Sequence, residues 1–336
     1  MQEAMFYKKI DDNRLECYLC PHYCRLKPGQ NGFCHVRKNI DGKLQSLVYS
    51  KPYAVNVDPV EKKPLYHFLP GTKILSVGTA GCNMACKYCQ NWDLSETHYE
   101  ESRSIDLPPE RIVQMASHYE VPAIAYTYNE PTIFAEYAMD TARLSHKMNI
   151  KNVMVTNGYI TLEVLDQVYE NMNAANVDLK AFNENFYTKQ TLSHLQPVLD
   201  TLKRLKELNK WIEITTLVIP GYNDSESEIG AMCEWIISEL DPFVPLHLTA
   251  FHPDYKFTHV PATKPGTLIR LRKMAIELGL KYVYIGNIGE DEGSDTYCHN
   301  CSELLIKRSW YHTQVMNILD GKCRKCRTKI PGIFSV

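Results

Sequence analysis

KILSVGTAGCNMACKYCQNWD, residues 73–93, opens as a short β-rich run and turns directly into a loop carrying Cys82, Cys86 and Cys89 at the spacing C-x3-C-x2-C. A closed tetrahedral structural metal site takes four ligands, so three thiolates on one loop leave a coordination position for something else. Thiolate sulfur is the donor that iron–sulfur clusters require, and a four-iron cube held by three cysteines keeps one iron open. The alternative is a zinc ion completed by a distant ligand such as His98 or His252.

Downstream of KILSVG the chain alternates short apolar runs with helical patterns. The strand candidates are PAIAYTY (122–128), NVMVT (152–156), NAANVDLK (173–180), WIEITTLVI (211–219), PLHLTAF (245–251) and KYVYIG (281–286). Between them helical periodicity runs over 108–120, 133–148, 161–172, a region ending near 209, 225–240 and 266–279. This rhythm predicts βα units and a parallel sheet. Six such units and a trailing strand suit a partial, TIM-like (β/α)6 barrel, with a doubly wound open sheet as the alternative. In either architecture ligands gather beyond the carboxyl ends of the strands.

The residues at those ends are the ones chemistry needs. After KILSVG come the three cysteines; after the next strand, Thr127-Tyr128-Asn129-Glu130-Pro131; then Thr156-Asn157-Gly158, Asp178-Leu179-Lys180, Pro220-Gly221 and Phe251-His252-Pro253. Ionisable and backbone-flexible residues thus converge on one rim. Helix capping and turn chemistry is the plainer account of each taken singly, Asn129-Glu130-Pro131 included.

The 336 residues, 44% hydrophobic and 23% charged, suit one large α/β domain with small appendages. A net charge of -2 argues against a general attraction to nucleic acid or to a membrane surface. No signal-peptide h-region and no long apolar span stands out, so a cytoplasmic protein is expected. In that compartment the 12 cysteines read as metal ligands rather than disulfides. Cys298-x2-Cys301 and Cys323-x2-Cys326 have zinc-ribbon form, and four thiolates close a structural site. Cys17, Cys20, Cys24 and Cys34 form a second, less regular four, with His22 and His35 as substitutes; a structural metal, zinc before iron–sulfur, is expected there. Cys233, inside a helical pattern, reads as a small buried hydrophobe. The chain therefore divides into a cysteine-rich segment (1–70), a core (71–290) and a ribbon-like segment (291–336).

CNMACKYC, with the aromatic Tyr88 before its third cysteine, resembles the C-x3-C-x-Φ-C signature of radical S-adenosylmethionine (SAM) enzymes. The resemblance covers about residues 70–290 and is nearest to the pyruvate formate-lyase activating branch, through TNG, DLK, IPGYND and FHP. DPVEKKPLYHFLPG and the first cysteine block further resemble the radical SAM component of the AmmeMemoRadiSam system. This likeness implies that Cys82, Cys86 and Cys89 hold a [4Fe–4S] cluster whose open iron binds SAM. Reductive cleavage would then give a 5′-deoxyadenosyl radical for hydrogen abstraction. It further implies Glu130 toward the SAM amino group, Lys180 toward its carboxylate, Asp178, Thr156 and Asn157 in the surrounding polar network, His252 near the ribose and the backbone at Tyr88 near the adenine. The family's two glycines before that glutamate are here Tyr128 and Asn129, which leaves the role of Asn129 open. The implied partners are a flavodoxin- or ferredoxin-type reductant and Memo-like and AMMECR-like proteins. The substrate is either a small molecule or a protein residue, a glycine in the case of activating enzymes. From a different class, the rival reading is a zinc-stabilised nucleic-acid-binding or scaffold protein. In the leader, Tyr66 and His67 either face the substrate side of the cluster or belong to an ordered surface loop.

Overall fold

The computed structural model describes residues 1–288, 293–310 and 312–335. Its centre is an eight-stranded sheet in chain order: β1 (Ala54–Pro59), β2 (Lys73–Gly78), β3 (Ala123–Tyr126), β4 (Lys151–Thr156), β5 (Ala174–Asp178), β6 (Trp211–Val218), β7 (Leu246–Ala250) and β8 (Val283–Gly286). β1 pairs antiparallel with β2, and every pairing from β2 to β8 is parallel. The six crossovers carry α1 (Pro109–His118), α2 (Ala135–His146), α3 (Leu162–Tyr169), α4 (Leu195–Glu207), α5 (Glu226–Trp235) and α6 (Pro265–Leu278). That is the expected set of six βα units with a trailing strand, left open between β1 and β8. The edge strand β1 comes from the stretch ahead of residue 70, so the core sheet draws on the amino-terminal segment as well.

Local chemistry explains the boundaries. α1 and α6 begin with proline in the first turn, where the missing N–H costs nothing. Ser225 caps α5 by accepting the Glu228 N–H, and Gly279, at φ +124°, ends α6. The helical region expected through about 209 comes in two parts: a π-helical turn, Tyr187–Thr191, ends at Leu192 in the left-handed conformation, and α4 follows.

The parallel strands are apolar on both faces, as a sheet covered on both sides demands. Ile124, Met154 and Val177 face the helices, while the opposite face near the strand starts is lined by small residues, Ala123, Ala125 and Ala174. The space those alanines leave is filled by the leader, whose Val60, Leu65, Phe68 and Leu69 are buried against them. Glu213, fully buried on β6, fixes the leader by accepting the backbone N–H groups of Tyr66 (2.9 Å) and His67 (2.8 Å).

At the amino terminus lie two three-stranded antiparallel sheets, one through Leu15–Cys17 and one through Arg37–Ile40, the second joined to α2 by the buried Arg37–Glu136 ion pair (2.9 Å). At the carboxyl terminus the ribbon packs on Tyr282 and Tyr284, and Ile333 donates its backbone N–H to the His67 carbonyl.

Candidate functional site

The loop after β2 is immobilised by groups from several other strands. Asn129, just past β3, donates to the Gly81 carbonyl (2.7 Å) and accepts the Thr79 N–H (2.9 Å). Asn83 donates to the Tyr159 carbonyl (2.7 Å), and the loop N–H groups of Ala85 and Lys87 reach the carbonyls of Thr191 and Gln190. Gly81 sits at φ +86°, with the Cys34 carbonyl and Val36 occupying the place of a Cβ, so only glycine fits. The role of Asn129 that the sequence left open is therefore positional: it locks the cysteine loop onto the β3 end.

Cys82, Cys86 and Cys89 are free thiols near the barrel rim. Burial pushes Cys86 up to about 12 and Cys82 well above its ordinary value, so the bare site favours thiols; a bound cation would reverse that preference. Glu130 lies beside Cys82 and is 3% exposed. Its carboxylate accepts from the Thr156 hydroxyl (2.7 Å), the Asn157 N–H (2.7 Å) and the Thr132 N–H (2.8 Å). Burial nevertheless raises its pKa. The Asn157 amide reaches Asn83 at 2.9 Å and the Cys82 sulfur at 3.8 Å. From β5, Lys180 donates to Asp178 (2.6 Å). Burial alone would lower this ammonium, but Asp178 and Cys86 outweigh it and hold it charged. Tyr88 is buried against Phe186 and Phe257, and exposed His252 meets Gln90 at 3.0 Å, one residue beyond Cys89. All ten residues expected around the central site thus gather at the carboxyl ends of β2 to β7.

The three cysteine sets differ in geometry. Among the described residues, only Cys298, Cys301, Cys323 and Cys326 bring three or more candidate ligand atoms within 4.8 Å of one another. Their sulfurs stand 3.6 Å (Cys298–Cys326) and 3.8 Å (Cys301–Cys323) apart, the edge of a tetrahedron around a metal at about 2.3 Å. Hydrogen bonding with Thr328 holds Cys326 down to about 5, ready to ligate as thiolate. Neither the central three nor the amino-terminal four are gathered so tightly. Cys17, Cys20, Cys24 and Cys34 do line one shared hollow. His22 is engaged elsewhere, its Nε2 lying 2.8 Å from the Asn83 carbonyl oxygen, and the His35 ring packs against His98. Cys233 is fully buried in α5, as expected of a hydrophobe.

The two leader residues part company: His67 takes neither course expected for it, while Tyr66 lines a cavity that reaches the cysteine side. His67 is wholly buried near the strand starts, between the Pro331 carbonyl (2.7 Å) and the Tyr284 hydroxyl (2.6 Å), away from the cysteines. Burial lowers it to about 4, so it is neutral and structural. Tyr66 lines a cavity of about 400 Å³ that reaches from Gln90 and His252 to Glu61, His247 and Trp310. Sequence reasoning also passed over Asn83, whose only signal was its place between the first two cysteines. It missed the buried cluster in which Asp58 accepts from Lys63, Lys62 and Tyr128.

A family model described as the radical SAM superfamily matches residues 76–233. An uncharacterized protein of Methanocaldococcus jannaschii is 44% identical, covering 97% of this chain and 97% of its own. The pyruvate formate-lyase 1-activating enzyme of Escherichia coli is 23% identical over 64% of this chain and 93% of its own. In three dimensions the chain is similar to a radical SAM methyltransferase from Sphaerobacter thermophilus, with a TM-score of 0.51 at 15% identity, over 65% of this chain and 67% of that one; this likeness is one of fold. No described helix is long and apolar enough to cross a membrane. The three-cysteine loop, the parallel βα array that presents it and these relationships agree: the chain belongs to the radical SAM superfamily and is a radical SAM enzyme.

Proposed function

We propose that Cys82, Cys86 and Cys89 hold a [4Fe–4S] cluster and that the enzyme takes a hydrogen atom from a substrate seated in the cavity beside Gln90 and His252. The donor set fits: three thiols from one loop, not drawn together as a single zinc ion would draw them. When bound, the cluster supplies one electron to the SAM sulfonium, giving methionine and a 5′-deoxyadenosyl radical.

The observation that carries this reading is the pairing of a buried acid, Glu130, with a half-buried base, Lys180, on either side of the thiols. Glu130 already accepts three hydrogen bonds, and a carboxylate has about four acceptor positions, so one remains for an ammonium. Lys180 spends one of its three N–H groups on Asp178 and keeps the others for a carboxylate. An amino acid moiety such as the methionine end of SAM presents those two charges. Asn157 and Asn83 fix the Cys82 side of the site, Thr156 holds Glu130, and the Tyr88 backbone and His252 are set to meet the nucleoside.

A low-potential reductant of the flavodoxin or ferredoxin type would supply the electron. The leader's likeness to the AmmeMemoRadiSam group adds Memo-like and AMMECR-like proteins as partners, and we assign zinc to the carboxyl-terminal four. The test is anaerobic reconstitution, reduction with dithionite and assay for 5′-deoxyadenosine. A brown protein that forms it, with 5′-deoxyadenosine formation lost and the iron content lowered in Cys86→Ala, supports the proposal. Zinc at the central loop and no 5′-deoxyadenosine would favour the scaffold reading instead.

A further inference from the structure

The amino-terminal cysteines pose a separate question, since four thiolates in a block ordinarily suggest zinc. A single zinc ion holds its sulfurs about 3.8 Å apart, given metal–sulfur bonds of about 2.3 Å. The carboxyl-terminal four show that spacing, at 3.6 and 3.8 Å. The amino-terminal four do not: among the described residues, no three of their sulfurs lie within 4.8 Å of one another, although all four line one hollow. The hollow between the four cysteines is narrow, a cavity of about 10 Å³. A four-iron cube keeps its thiolates roughly 6 Å apart, because each sulfur lies a bond length outside its own iron.

The walls also point to a sulfur-rich anion. Leu19, Phe33 and Ile133 make one side apolar. Arg37 makes another; it is 2% exposed, its two terminal nitrogens are spent on Glu136 and the Met5 carbonyl, and its Nε–H has no partner. A buried, unsatisfied N–H carrying positive charge is costly unless something accepts it. The Phe33 N–H already points at the Cys24 sulfur (3.4 Å), the kind of bond that tunes iron–sulfur clusters.

We propose that Cys17, Cys20, Cys24 and Cys34 hold a second, four-iron iron–sulfur cluster in place of the expected zinc, with the Arg37 Nε–H directed at its sulfur. This cluster would lie directly behind the loop of the first. The Cys34 carbonyl abuts Gly81, next to Cys82, and His22 meets the Asn83 carbonyl. The inference rests on thiol geometry and the unpaired guanidinium, independently of the reaction proposed above.

The test loads the full-length chain anaerobically with ferrous iron and sulfide and compares it with the variant Cys82→Ala/Cys86→Ala/Cys89→Ala. The variant is expected to keep about four irons, about four sulfides and one zinc per chain, with absorption near the visible sulfur-to-iron band. Adding Cys17→Ala and Cys20→Ala should remove that iron and leave the zinc. Retention of no iron and of about two zinc ions per chain would overturn the proposal. Should the triple variant fail to fold, the unaltered chain decides: about eight irons support a second cluster, and about four overturn it. Cys17→Ala/Cys20→Ala alone should still form 5′-deoxyadenosine in a reduced single turnover, which separates failure here from failure of the function itself.

Discussion

The central loop and the carboxyl-terminal ribbon use the same side chain to opposite ends. In the ribbon the thiols face one another at 3.6 and 3.8 Å, and nearby backbone completes the turns: Ser302 and Arg327 each donate to the carbonyl of the cysteine four residues earlier. The four cysteines and the backbone bonds that turn their loops all lie within residues 296–330. In the central loop the thiols are spread, and their neighbours come from elsewhere: Asn129 and Glu130 after β3, Asn157 after β4, Lys180 after β5. A self-completing site holds a shape, whereas a site completed by other strands holds a ligand.

Removing a ligand from each site is the hardest test of that contrast. Cys86→Ala should reduce 5′-deoxyadenosine formation to background while leaving about one zinc per chain and an unchanged far-ultraviolet spectrum. Cys326→Ser should do the reverse at the other end: zinc is lost and the first thermal transition falls by several degrees, while central iron stays. If either substitution empties both sites, the two are not independent. Glu130→Gln probes the ligand side alone. A hydrogen bond to a charged group contributes about 1.5–3 kcal/mol, so SAM should bind about 10- to 100-fold more weakly by titration calorimetry at unchanged iron content. A loss of iron would mean that Glu130 supports the loop rather than the ligand.

Smaller effects test how the loop is seated. Gly81→Ala forces a side chain into the left-handed region and against the Cys34 carbonyl, which should cost about 1–3 kcal/mol by urea unfolding and loosen the amino-terminal block to protease. The ribbon has its counterpart in Gly332, at φ +147°, where a Cβ would meet the His67 carbonyl. Smallest is the pH effect of Asp58. Burial would raise this acid, but Lys63, Tyr128 and Lys62 hold it well below the usual carboxylate range. The stability it adds is fully present above about pH 4, the unfolded value, and is lost as pH falls below that. Asp58→Asn should therefore flatten the dependence of urea midpoints on pH between about 4 and 2; an unchanged slope would show that the cluster contributes nothing.

Much of the molecule was legible before folding. The boundaries of β2 to β8 follow from apolar runs of strand length set between helical periods, because a sheet covered on both faces must be apolar on both. Cys82, Cys86 and Cys89, and the two ribbon pairs, stand out in the sequence by their spacing, because thiols that share one metal must sit close along each loop that carries them. Glu130, Thr156, Asn157, Asp178 and Lys180 were readable for one reason only: parallel strands all end on the same rim.

What the sequence could not show is whatever joins residues far apart in the chain. Nothing in DPVEKKPLYHFLPG says that it fills the barrel floor, since the room it occupies is made by Ala123, Ala125 and Ala174 and its anchor is Glu213, about 150 residues later. Nothing in the first cysteine block says how far apart its sulfurs stand, because two small sheets and the Arg37–Glu136 pair set that distance. Residue types and spacing determined which chemistry the chain carries and on which rim. The packing of distant segments decided which thiols close on one ion and which are held apart, because sulfur–sulfur separation is set by the backbones that carry the cysteines.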